Sequence, residues 1–136
     1  MLTKKHGVRP NAIVVTGDVA EWSIPQEYAQ AHKFFEGLAA RLKLHRERMV
    51  IVPGNHDVNW DLCQAARLIA KATGRDFDPP YVEKFGNYGR FYNELFKGIF
   101  QFDDLALYQV HEFRAEETLV VGFNSCVRES ERDEDH

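Results

Sequence analysis

Two short apolar runs constrain this chain more than anything else in it. Met49-Val50-Ile51-Val52-Pro53 is rich in β-branched residues, is closed at once by Pro53-Gly54, and continues as Asn55-His56-Asp57. Ala12-Ile13-Val14-Val15-Thr16 has the same character and ends in Gly17-Asp18. Short apolar runs stopped by turn residues read as buried parallel strands. Open α/β sheets place ligands beyond the C-terminal ends of such strands. The runs predict an α/β fold in which Asp18, Asn55 and His56 meet at one sheet edge as a candidate metal site.

What joins the runs decides whether they can meet. Ser23 and Gln26 have the spacing of a capping box, with Pro25 in the first turn, so a helix is expected to start here. Tyr28, Ala31, Phe35, Leu38 and Leu42 give it one apolar face, and the basic cluster at 43–48 suits its C-terminal dipole. Strand, helix and strand predict a parallel βαβ core with a right-handed crossover. Further on, either Asn59 or Asp61 caps a helix over about 62–73, which Gly74 stops. Residues 76–80 read as a loop around Pro79-Pro80. The aromatics of 81–100 fit helical spacing in spite of Gly86 and Gly89. They either line a substrate groove or pack on the sheet, and packing is the reading favoured. Residues 105–110 and 118–123 read as two more strands, joined by the polar segment 112–117.

Composition limits the partners. The chain has 136 residues, a net charge of −4 and a pI near 5.8, which fits one domain with no strong nucleic-acid signal. No apolar run approaches the ~20 residues that span a bilayer, and no signal peptide is visible, so a cytoplasmic location without membrane partners is expected. Cys63 and Cys126 show no metal or redox spacing and read as buried thiols. Residues 2–7 resemble the end of a helix whose first turns lie outside the chain, or else a frayed natural start. Residues 128–136 read as an acidic flexible tail.

The chemistry at the strand ends follows from the residue types. Pro53-Gly54 turns the chain sharply, and glycine admits a ligand close to the backbone. The Asp18 carboxylate and Asn55 amide oxygen are hard ligands suited to Mn²⁺, Mg²⁺ or Fe²⁺ and usable by Zn²⁺. His56 is either a ligand or a general acid poised near neutral pH. A given four-residue word such as Gly-Asn-His-Asp turns up by chance in a chain this long on the order of once in a thousand.

Thr16-Gly17-Asp18-Val19-Ala20 followed by Val52-Pro53-Gly54-Asn55-His56-Asp57-Val58-Asn59 resembles the calcineurin-like metallophosphoesterases. Gly122-Phe123-Asn124-Ser125 extends the likeness more weakly. The resemblance implies part of a four-layer α/β/β/α sandwich whose dinuclear metal centre hydrolyses phosphomonoesters or phosphodiesters through a metal-activated water. It implies Asp18 as a bridging carboxylate, Asn55 as a ligand of the second metal, and His56 as the catalytic residue that contacts phosphate and protonates the leaving group. Glu21 falls where some relatives carry an acid that orients this histidine. Two divalent ions and a small phosphate-ester substrate are implied, with the metal open among Mn, Fe, Zn and Mg.

The departures are as informative. The family pattern begins with Asp-x-His and ends with Gly-His-x-His, and neither is present. His32 and His45 fall in the crossover as surface residues, and His111 closes a strand. The expectation is a single truncated domain over 1–136, incomplete as a metal site. The alternatives are a non-catalytic α/β binding module descended from a phosphoesterase, or assembly with a second polypeptide that brings the missing histidines. An uncovered apolar sheet face is expected either way.

Overall fold

The structure, a computed structural model, describes residues 7, 9–77 and 82–129. The helix end expected over 2–6 and the tail beyond 129 lie outside them. β1 (Ile13–Val15) and β2 (Met49–Ile51) pair in parallel, with Val14 opposite Val50. The Val52 amide donates to the Val15 carbonyl at 3.1 Å and carries the ladder one step further. Helix α1 (Pro25–Leu42) makes the crossover, so the expected βαβ unit is present.

Its first turn differs in one respect from the sequence expectation. Glu27, and not Gln26, closes the capping box, accepting from the Ile24 amide at 3.2 Å and the Trp22 amide at 3.1 Å. Ser23, the expected cap, lies one residue further out in a left-handed conformation (φ 54°) and is completely buried. Its hydroxyl is used elsewhere. At the other end Lys43 takes the left-handed cap (φ 58°). Two arginines of the basic cluster are held by carboxylates, Arg46 by Glu36 at 2.5 Å and Arg48 by Glu116 at 2.6 Å.

Helix α2 (Trp60–Ala72) is capped by Asn59, whose Oδ1 accepts from the Leu62 amide at 3.0 Å, which decides between the two expected caps. A short 3₁₀ turn, Val82–Phe85, leads into α3 (Gly86–Phe96). Tyr88, Phe91, Tyr92, Leu95 and Phe96 of α3 are buried against Tyr28 and Phe35 of α1 and against Met49 and Ile51 of β2. The aromatics of this segment are therefore core, as favoured from the sequence. Tyr28 stacks on Phe91 with ring centroids 5.3 Å apart. Each such side chain contributes roughly 1.5–3 kcal/mol by leaving water.

One of the two C-terminal strands is displaced from its predicted limits, and the other, 118–123, lies where expected. β3 is Tyr108–Phe113, not 105–110, and it pairs antiparallel with β4 (Thr118–Phe123). Asp103 causes the late start. Its Oδ1 accepts from the Leu105 amide at 2.9 Å and its carbonyl from Ala106 at 3.2 Å, which makes a turn there. The connection shrinks to Arg114–Glu117, with Glu117 left-handed (φ 50°).

β4 lies against the Val50 and Val52 side of β2. A Cβ at Gly122 would stand 2.5 Å from Val52 Cγ1, so only glycine lets the strand approach this closely. The described residues thus make a helix layer, a parallel pair and a hairpin. Among them no further layer covers the outside of the hairpin, where Tyr108, Val110, Leu119, Val121 and Phe123 are 43–66% exposed.

One ammonium ties the end of the described chain to this body. Lys84 is completely buried and donates to the carbonyls of Cys126 (2.6 Å), Val127 (3.1 Å) and Glu129. Burial pulls its pKa down, opposed by the neighbouring Cys63, Cys126 and Glu129. Both cysteines are buried and free, as expected from the sequence. No helix among the described residues is long and apolar enough to cross a membrane.

Candidate active site

The loops that leave β1 and β2 touch backbone to backbone. Gly17 has φ 119°, and a Cβ there would come within 2.8 Å of Gly54 Cα. A Cβ on Gly54 would in turn come within 2.6 Å of the Asp18 nitrogen. Both positions require glycine, one for conformation and space and the other for space. Asp18 follows in a left-handed conformation (φ 57°), which leaves its side chain exposed at the sheet edge.

Across this contact Asp18 and His56 are joined directly. Asp18 Oδ1 accepts from the His56 backbone amide at 3.3 Å, a bond between residues 38 apart. Asn55 is exposed in the short 3₁₀ turn Asn55–Asp57, and its carbonyl accepts from Trp60 Nε1 at 2.9 Å. No hydrogen bond engages its side-chain amide among the described residues. His56 Nδ1 lies 3.0 Å from the Glu21 carbonyl oxygen and 3.8 Å from the Glu21 carboxylate. A carbonyl can only accept, so Nδ1 carries the hydrogen and Nε2 is the nitrogen left for other work. Glu21, Asp18 and His56 are thereby brought together, with Asn55 adjoining them in the same turn.

The residue that organises the group received no role from the sequence. Asp57 is completely buried behind the turn. Its Oδ2 accepts from the Val19 amide at 3.1 Å and the Gly54 amide at 3.0 Å. Its Oδ1 accepts from the Ala20 amide at 3.1 Å and the Tyr28 hydroxyl at 3.0 Å. One carboxyl group therefore binds donors from both strand-end loops and from the crossover helix. Burial pushes its pKa up, and the four donors oppose that shift.

Ser23 completes the support. Its hydroxyl donates to the Asp57 carbonyl at 2.9 Å, while its own carbonyl accepts from Asn59 Nδ2 at 3.4 Å and Asn87 Nδ2 at 2.8 Å. The available signal was Asp57 itself, an acid placed directly before apolar Val58 inside a strand-end motif.

The other histidines stand apart. His111 is not at a strand end but in the middle of β3, buried against Phe100 with centroids 4.8 Å apart, and its Nδ1 has no partner among the described residues. Burial lowers its pKa. His32 lies 3.6 Å from Glu36 on α1, and His45 is exposed ahead of the 3₁₀ turn Arg46–Arg48.

The match to the calcineurin-like phosphoesterase family covers residues 2–128. The chain belongs to the calcineurin-like phosphoesterases. Comparison with curated proteins and with solved structures returned no match. Hydrolysis of phosphate esters, generally with divalent metal ions, is the activity that membership implies. The described residues do not by themselves meet the donor set of such a centre. No group of three or more histidine, cysteine, aspartate or glutamate side chains is placed to hold a metal ion among them. A closed metal site takes at least four ligands and a catalytic one at least three, whereas the strand-end loops offer Asp18 and Asn55 beside His56.

Proposed function

We propose that this chain is the strand-end half of a metal-dependent phosphoesterase that hydrolyses phosphomonoesters or phosphodiesters. In this reading the complete domain is a four-layer sandwich, and the chain is a truncated part of it. Asp18 and Asn55 are metal ligands, His56 is the catalytic residue, and Glu21 orients it. The observation that carries the reading is the contact of Asp18 with His56 across the crossover, set by Asp57 at the C-terminal ends of two parallel strands.

Divalent ions, which Asp18 and Asn55 would hold together with ligands from elsewhere, would supply charge neutralisation and an acidified water; the chain's own part is proton transfer. With Nδ1 held by the Glu21 carbonyl, His56 presents Nε2 to the leaving oxygen, and the Glu21 carboxylate, 3.8 Å from Nδ1, helps fix the orientation of the ring. A small phosphate ester is the substrate class, and a cytoplasmic location is part of the reading. The shortage of ligands keeps one rival in play, a non-catalytic binding module with the same fold.

The test is hydrolysis of bis(p-nitrophenyl) phosphate in Mn²⁺ by the 136-residue chain and by the whole product of its open reading frame. The whole product is expected to turn over and to lose about 10²–10⁴-fold in rate on His56→Ala. The short chain is expected to be nearly inert. Silence of the whole product would support the binding module. Robust turnover by the short chain, lost on His56→Ala, would overturn its incompleteness.

A further inference from the structure

We propose that the groove between α1 and α3 is a binding site for a small phosphate-bearing anion, separate from the strand-end loops. The groove encloses about 370 Å³, within the range of small-molecule sites, and is lined by Tyr28, His32, Lys33, Asn87, Arg90 and Glu94 among others. Its floor is fixed. Tyr28 and Phe91 are buried and stacked, and Asn87 is committed to the Ser23 carbonyl.

Charge decides the ligand class. Lys33 and Arg90 are exposed and make no ion pair with any described residue. His32 Nδ1 faces the Glu36 carboxylate at 3.6 Å. Glu94 is the one acid lining the groove. Two free cations against one carboxylate favour an anion. Arginine's planar fork beside a lysine point charge suits phosphate oxygens in particular.

Tyr28 lines the groove and its hydroxyl reaches Asp57, whereas none of Asp18, Asn55 and His56 lines it. Phosphate bound here is therefore distinguishable from phosphate bound as a product at Asn55 and His56. The inference does not depend on catalysis, and failure of the hydrolase reading would leave it standing.

The experiment is titration of the ¹⁵N-labelled 136-residue chain with inorganic phosphate at constant ionic strength, followed by amide chemical shifts. Saturable shifts are expected at Ala29, Lys33, Arg90 and Phe91, with a Kd on the order of 1 mM, the strength of about 4 kcal/mol of contact. Lys33→Ala and Arg90→Ala are surface changes that spare the fold, and each is expected to weaken binding at least severalfold. Glu94→Gln removes a like charge and is expected to tighten it, and His56→Ala to leave these shifts unchanged. Shifts confined to residues 54–57, no saturable shift at all, or affinity indifferent to both cation variants would overturn the proposal.

Discussion

The two sheets of this molecule bury themselves in opposite ways. β2 of the parallel pair is enclosed on both sides, with Met49, Val50 and Ile51 at 0–2% exposure. The β3–β4 hairpin is covered on one side only. Its inner face presents His111 and Phe113, both buried, while the apolar residues of its outer face meet solvent. In the first region backbone amides of both strand-end loops, the Tyr28 hydroxyl and Ser23 are bound into one network around Asp57. In the second, apolar surface stands where a surface strand would carry polar residues. The difference shows where stability is concentrated, and substitutions on the two sides should separate accordingly.

Asp57→Ala attacks the parallel side most severely. It strips partners from the amides of Val19, Ala20 and Gly54 and from the Tyr28 hydroxyl. At ~1–3 kcal/mol for an unsatisfied buried group, a total loss of at least about 3 kcal/mol is expected by urea unfolding. Gly17→Ala should cost about 2 kcal/mol in the same assay, since its φ and the 2.8 Å approach to Gly54 both resist a side chain. Tyr28→Phe keeps the stacking on Phe91 and loses only the hydroxyl, so about 1–2 kcal/mol is expected. If Asp57→Ala proved no worse than Tyr28→Phe, the carboxyl group would not be the organising element.

The hairpin supplies the smaller effects. His111 sits neutral in its inner face, with its folded pKa below the ordinary 6.5. A base with a lowered folded pKa contributes stability that is fully present above 6.5. That stability is lost as pH falls from there toward the folded value, because the unfolded chain takes up the proton first. Thermal unfolding of His111→Leu at a series of pH values should show a flatter decline below pH 6.5 than the parent. Smallest of all, Leu119→Ser on the outer face should change stability by no more than about 0.5 kcal/mol. It should also reduce self-association in sedimentation, where an exposed apolar face is the driving surface.

The same contrast explains what the sequence could and could not disclose. The βαβ core, and the placement of Asp18, Asn55 and His56 at one edge of it, were legible because strand pattern and motif are both local in spelling. Asp57 stands in that motif too, but its role depends on Val19, Ala20 and Tyr28, none of which is near it in the chain. The limits of β3 failed for a related reason. In Tyr108-Gln109-Val110-His111-Glu112-Phe113 the outer face carries Tyr108 and Val110 while the inner one carries Gln109 and His111. Alternation therefore points the wrong way and gives no clear end. The capping box slipped by one residue because Ser23 can serve a helix or a buried network, and only packing chooses between them.

The Asp57 network also has a consequence for the order of folding. Its bonds to Val19 and Ala20 join residues 38 and 37 apart, whereas its bond to Gly54 spans three. The entropy of closing the long loop must be met before those distant bonds can form, and it is the docking of α1 and β2 that meets it. The Gly54–Asp57 turn can thus exist as a local kink in a largely unfolded chain, but Asp18 cannot be beside it. The two strand-end loops become neighbours only when β1 and β2 pair across α1, so the chemical character of the chain depends on its core being formed.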